Sequence, residues 1–492
     1  MLGSDVMQMR GWSRGGLAVS TMAACAAFAV SGVACSELKV ADGAPNVDGG
    51  TDEPAPEPEG EDRDGGSRPD ATDGDAGEPP SDFACTGTWV SSSKPKPECA
   101  PRQVKVIDDN VIVDATDISI ARTPAGRIGI VFNNELGEEG EMRLWHFVPN
   151  KPSFAPEVVV EAGSLGYHAG YSTRIAASSP DVLHVLAHNV NDASGDVVLR
   201  RLENGKAPLT AEELVVSGVR KRTQLGLAVD SEETVYASVL LRGATSTSNA
   251  KLAVRQKVAG GSFTPLPDIS TSLLPHLAPG TGAASLVIGP SDQLHLAYHF
   301  CYVSASEPPS VSTPRYHILA GNSWSDHKTI DNQTIEGLAG FSPRLVLSGN
   351  RKYAAYYFRK GGQAGVPTAD LRLATWVLDS DLPSIEILDQ GIPSEDAMYP
   401  AYRVAMAVDK FGLIHLAIIR PFASSGGTLE YRRQARDGSG NVKWLSDIVD
   451  DNVLAGQDTG RVDMLVDDKA RPHIAYISGV DRKVRYATRY DR

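Results

Sequence analysis

A short phrase of alternating apolar residues around a histidine recurs along the chain. Its clearest copies are Leu413-Ile414-His415-Leu416-Ala417-Ile418, Gln293-Leu294-His295-Leu296-Ala297-Tyr298, Arg471-Pro472-His473-Ile474-Ala475-Tyr476 and Val182-Leu183-His184-Val185-Leu186-Ala187. With the histidine position as marker, weaker copies at Gly129, Tyr236 and Tyr353 complete a series of seven, spaced by 52 to 62 residues. Such a period means one supersecondary unit per repeat, stacked so that neighbours share a core. Apolar residues at every second position make the unit a set of strands. The sixth unit shows four: residues 404–408, 413–419, 429–433 and 442–449. The first two are joined by the turn Asp409-Lys410-Phe411-Gly412, and Asp230 and Asp467 stand at the same offset in the third and seventh units. A lone four-stranded sheet cannot cover both its faces, so the units must stack as blades around an axis. The expectation is an all-β, seven-bladed β-propeller of four-stranded blades over residues 83–492.

The last unit ends after a third strand at 483–488. Near the start, Val106-Ile107-Asp108-Asp109-Asn110-Val111 matches Ile448-Val449-Asp450-Asp451-Asn452-Val453, the fourth strand and exit turn of unit six. Residues 103–107 are therefore expected to complete the seventh blade, closing the ring and covering an edge that would otherwise aggregate.

Ahead of the repeats, Arg10 and Arg14 precede a stretch of small and apolar residues that ends in Gly32-Val33-Ala34-Cys35, the pattern of an export signal over residues 1–34. The residues before Cys35 resemble the lipobox of bacterial lipoproteins, although Gly32 stands where that family has Leu. Met22-Ala23-Ala24-Cys25 offers a second candidate, and plain cleavage after Ala34 is the alternative to a lipid. The resemblance implies diacylation of Cys35 as the first mature residue and a place in the cell envelope. Ser36 is compatible with outer-membrane sorting. No later segment approaches the ~20 apolar residues of a membrane span, so a lipid anchor is the only membrane attachment expected.

Residues 36–82 hold fifteen Asp or Glu against three Lys or Arg, most of the net charge of −14. Packed among Gly, Pro, Ser and Thr, they cannot bury enough surface to offset the ordering of their backbone, so residues 35–82 are expected to form a disordered tether reaching ~40 Å. The nearly neutral remainder excludes nucleic-acid binding, which needs a basic face. Cys85 and Cys99 flank a short segment at the start of the folded part, and an exported chain meets oxidising conditions. A disulfide is expected between them, stabilising by ~3 kcal/mol. Cys301 is expected as a small buried hydrophobe.

His184, His295, His415 and His473 occupy equivalent positions of successive blades, too far apart to share an ion. No metal and no cofactor are expected; each His should bond a neighbouring turn or blade. Pairs four residues apart on one strand, His184 with His188 and His295 with His299, face one way but ~13 Å apart. Arg174, Arg222, Arg344, Arg403 and Arg461 lie near the starts of the innermost strands. They are expected either to form a cationic well at the channel mouth, suited to carboxylate, sulfate or phosphate, or to pair with carboxylates of the next blade. Long connections converge on the same mouth, with Tyr167, His168 and Tyr171, His276, and Glu395, Asp396, Tyr399 and Tyr402.

Over residues 102–492 the repeat phrase resembles the sialidase-like propellers. Their Ser-x-Asp-x-Gly-x-Thr-Trp box is absent; residues 437–444 and 321–324 match it only loosely, and no Phe-Arg-Ile-Pro segment occurs. Sialidases hold a substrate carboxylate with three arginines, so the resemblance implies an anionic-sugar site with Arg174, Arg344 and Arg403, and Asp396 or Asp117, with Glu336, handling the proton. No phosphate-binding glycine loop, nucleophile elbow or zinc-hydrolase motif is present. The expected function is a monomeric envelope binding module for a glycan, peptide or protein partner, with Arg174, Arg222, Arg344, Arg403, Arg461, Asp396 and Tyr399 at the ligand. The alternatives are a sialidase-like glycoside hydrolase and a structural scaffold in an envelope assembly.

Overall fold

The computed structural model describes residues 102–106, 117–136, 139–148, 157–160, 167–191, 194–206, 208–220, 223, 225–241, 251–270, 284–302, 311–331, 337–360, 368–377, 380, 383–393, 404–421, 426–436, 439–454, 462–478 and 483–488. The signal region, the tether, Cys35, Cys85 and Cys99 lie outside them. Strands account for the regular structure throughout, and among the described residues no helix is long and apolar enough to cross a membrane.

Seven antiparallel meanders follow one another. Their innermost strands are Ile118–Arg122, Tyr167–Ser178, Leu225–Val229, Ala284–Ile288, Gly337–Ser348, Val404–Val408 and Val462–Val466. Each packs against the innermost strand of the next, and the seventh packs against the first, so the blades form a ring. Every marker residue sits on a second strand: Gly129 on Ile128–Leu136, His184 on Val182–Asn191, Tyr236 on Val235–Leu241, His295 on Leu294–Tyr302, Tyr353 on Arg351–Lys360, His415 on Ile414–Pro421 and His473 on Pro472–Ile477. In the sixth blade Gly426–Arg436 and Val442–Leu454 follow as third and fourth strands. The outer strands of the third and fourth blades are broken into short pieces, Thr264–Pro265 with Ile269–Ser270 and Ser323–Trp324 with Lys328–Thr329. Arg102–Val106 runs antiparallel to Val484–Thr488, Arg102 opposite Thr488.

The core is divided the way alternation demands. Successive side chains of a strand point to opposite faces, and each face meets a different neighbour. The buried apolar residues of the described part accordingly fall into seven clusters, one at each junction between blades. Leu294, Leu296, Tyr298 and Phe300 face the third blade, while Ala297 between them packs on the fifth.

One turn recurs between first and second strands. In five blades the residue six before the marker donates its N–H to the carbonyl four residues on and accepts an N–H from three residues on: Thr123, Asp230, Gly289, Asp409 and Asp467. The fourth residue is forced into the left-handed region, with φ of 88° at Gly126, 63° at Glu233, 54° at Asp292, 76° at Gly412 and 60° at Ala470. Three of these turns are locked by an aspartate whose Oδ1 takes two backbone N–H groups, from Glu232 and Thr234, from Phe411 and Leu413, and from Lys469 and Arg471. That self-capping is why Asp recurs there.

Candidate functional site: the inner-strand ends and the clefts between blades

The marker histidines are structural. His415 lies 3.3 Å through Nε2 from Asp409 Oδ2 of its own turn and 2.6 Å through Nδ1 from the Tyr431 hydroxyl on the third strand. His473 repeats this with Asp467 at 3.4 Å and Tyr486 at 2.5 Å. His184 bonds Ser178 Oγ at 2.9 Å, and His188 the Val219 carbonyl at 3.1 Å. In the fourth blade His295 still bonds the Tyr316 hydroxyl, but Gly289 replaces the aspartate and the ring fills the space a Cβ would need. Among the described residues no group of three or more His, Cys, Asp or Glu is placed to hold a metal ion.

Two of the predicted arginines are described, and both are bound across a blade junction. Arg174 Nη1 donates to Asp117 Oδ2 at 2.7 Å and to its neighbour's carbonyl, that of Thr173, at 2.6 Å. Asp117 is buried and also accepts from Ser172 Oγ, the Thr173 N–H and, on its other oxygen, the Ile118 N–H. This carboxylate pins the first blade to the second, and so many donors leave it poorly placed for proton transfer. Arg344 Nε donates to the Val404 carbonyl of the sixth blade at 3.3 Å. Ser285 and Leu345 join blades four and five, and Asp463 accepts from Ser119 Oγ and the Ile120 N–H to join seven and one. The inner ends are thus tied blade to blade. Arg222, Arg403, Arg461, Asp396 and Tyr399 lie outside the described residues, as do Glu336, Glu395, Tyr402, His276 and the side chains of Tyr167, His168 and Tyr171.

A second set of charges, not singled out by motif, lies in the clefts between blades. Asp331 accepts from the Tyr356 hydroxyl and from Arg372 Nη1, both at 2.8 Å. Asp450 accepts from the Tyr476 hydroxyl at 3.0 Å and stands 3.6 Å from Arg485. Asp389 pairs with Arg420 at 2.6 Å beside Glu430, which also takes Arg432 Nε at 2.7 Å. Burial pushes the Glu430 carboxyl up, but bonds from Arg432, Ser446 and Arg420 outweigh it and hold the group below its usual range. Burial likewise raises the Tyr356 and Tyr476 hydroxyls, with Asp331 and Asp450 adding to it. A signal for this set exists in the chain: an Asp 25 or 26 residues ahead of a Tyr that stands three past the marker.

These sheets define the class of protein, a seven-bladed β-propeller with charged clefts between its blades. No family model matches the chain, and no curated protein matches it in sequence. Among solved structures it is similar to a PL25 ulvan lyase, at 12% identity over 79% of this chain and 98% of that one, with a TM-score of 0.48. A GH93 α-L-arabinofuranosidase of Fusarium graminearum is 11% identical over 64% of this chain and 91% of the other, TM-score 0.41. The fucose-specific lectin from Aleuria aurantia is 14% identical over 70% and 99%, TM-score 0.41. At these identities and scores the likeness adds nothing to what the chain's own sheets establish.

Proposed function

We propose that the chain is an exported binding module that takes a glycan on one face of the propeller. The observation that carries this is the difference between the two faces. Where first strands pass to second strands, the turns are short, repeated and self-capped. At the opposite strand ends the connections differ in length: 137–138 and 192–193 are two residues each, whereas 242–250, 271–283, 303–310 and 394–403 run to eight residues or more. A rigid scaffold with variable connections gathered on one face is the usual arrangement of a recognition surface. Residues 394–403 carry Glu395, Asp396, Tyr399, Tyr402 and Arg403, the mixture of aromatic faces and charged hydrogen-bonding groups that sugars require. Cys35 would carry the lipid that holds the propeller at the envelope, on the acidic tether. The hydrolase alternative is weakened by the engagement of Asp117 and Arg174 with each other.

The test is an array of neutral, uronic and sialic glycans probed with the purified chain. Binding to a defined set, lost in the Arg344→Ala, Arg403→Ala double variant while the circular dichroism is unchanged, supports the proposal. A folded protein that binds no glycan overturns it and leaves a protein partner.

A further inference from the structure

The fifth and seventh blades share an arrangement that the fourth repeats with one part changed. Tyr356 and Arg372 stand opposite each other on second and third strands and reach back to Asp331, at the outer edge of the preceding blade. Tyr476 and Arg485 do the same toward Asp450. The fourth blade carries the same cross-strand pair, Tyr298 opposite Arg315. Cross-strand partners share a face, and Tyr298 packs into the core between the third and fourth blades, so Arg315 also faces the third.

Among the described residues no acid of that neighbour pairs with Arg315. Its corresponding outer piece is Ile269–Ser270, and residues 271–283 beyond it contain neither Asp nor Glu. Asp268 is engaged within its own blade, 2.6 Å from Lys251 and 3.8 Å from Arg255. Among the described residues no carboxylate pairs with Arg315, and its Nε is buried with no hydrogen-bond partner. The guanidinium is nevertheless posed like its counterpart: it stacks on Phe300 at 3.3 Å, as Arg372 stacks on Phe358 at 3.5 Å. Tyr298 is hydrogen-bonded to Arg315 through its hydroxyl, which also stands 3.2 Å from His317 Nε2, while His317 Nδ1 lies 2.7 Å from the Ser325 carbonyl and so carries the ring proton. Among the described residues Arg315 is a cation of this cleft with no carboxylate partner, within coulombic reach of His317 and His327, and the His317 ring lies 6.1 Å from Trp324 and 6.2 Å from His327 between centroids.

We propose that the cleft between the third and fourth blades binds a carboxylate brought by a ligand, with Arg315 taking it as Arg372 takes Asp331. A guanidinium offers a rigid fork of donors that matches a planar carboxylate, and neighbouring aromatic rings suit a ligand whose carboxylate sits on a sugar ring. The site is separate from the channel mouth and stands or falls independently of the glycan face proposed above.

The experiment is calorimetric titration of the full chain with glucuronate, acetate, glucose and the methyl ester of glucuronate. Binding of glucuronate, with glucose and the ester at least tenfold weaker, is expected. Displacement by acetate at equal strength would identify a simple carboxylate site; much weaker displacement would add the sugar ring. Arg315→Met should cost glucuronate about tenfold or more, Arg315→Lys less, and Lys469→Met, on the distant turn of the seventh blade, nothing. Equal binding of acid and ester overturns the proposal without any variant having to fold. So does glucuronate binding unchanged in folded Arg315→Met, or no carboxylate binding by the folded wild type.

Discussion

At His184, His188 and His295 burial holds the ring pKa near 4, and at His299 near 3. An unfolded chain takes up those protons near pH 6.5. The stabilising effect of keeping the rings neutral is therefore complete above that pH and is lost as pH falls from about 6.5 toward 4, by up to about 1.4 kcal/mol per pH unit for each ring. Asp467 and Asp409 act lower on the scale. Burial opposes their charge, but bonds from His473 and Arg471, and from His415 and the turn amides, overcome it and keep both carboxyls below their ordinary range. Their contribution is present above the ordinary carboxylate range and fades as pH drops below about 4. Urea midpoints at closely spaced pH values should fall in two stages, and His184→Gln should flatten the upper one. A midpoint constant from pH 7 to pH 4.5 would contradict the account. Arg315 belongs to the same scale: a single arginine in the cross-strand place of Arg372 and Arg485, with no carboxylate paired to it among the described residues.

Among the elements, the recurring turn makes a sharp comparison. Gly412 has φ of 76° and open space around it, so Gly412→Val should cost about 1–2 kcal/mol through its backbone alone. Gly289 has no such φ, yet a Cβ there would lie 2.4 Å from His295 Nε2. Gly289→Ala should cost about 1–3 kcal/mol by crowding, and pairing it with His295→Ala should recover part of that, as a double-mutant cycle in denaturant would show. Asp331 is wholly buried against Arg372, so Asp331→Ala should cost about 3–5 kcal/mol by stranding the guanidinium. Much of this scale is legible in the chain because alternation is local. Residues 404–408 read directly as the strand Val404–Val408, and the shared offset of Asp230 and Asp467 marks the turn. The joins between blades are harder to read. Asp331 and Asp450 precede their tyrosines by 25 and 26 residues, but Asp389 serves Arg420 instead, opposite a blade with Ile418 where the tyrosine would be. Arg174 and Arg344 likewise read as one class from their offset, although only packing decides that the first meets Asp117 and the second a carbonyl.

For the whole molecule, the seven interblade cores make stability depend on every blade having two neighbours. The pairing of Arg102–Val106 with Val484–Thr488 suggests that a chain starting at residue 117 should aggregate or lose several degrees of thermal midpoint, whereas one lacking only the acidic tether should not. The envelope address is testable alone: labelled palmitate should enter the chain in a lipoprotein-processing host and fail to enter Cys35→Ser. The account turns on the two faces doing different work. The most direct measurement is the affinity for the best glycan found on the array, compared between a variant of the long-connection face, Asp396→Asn with Tyr399→Ala and Arg403→Ala, and a variant of the turn face, Lys410→Ala with Phe411→Ala and Lys469→Ala. The account predicts that the first loses binding at least tenfold and the second keeps it, both with unchanged melting. Loss confined to the turn-face variant would contradict it.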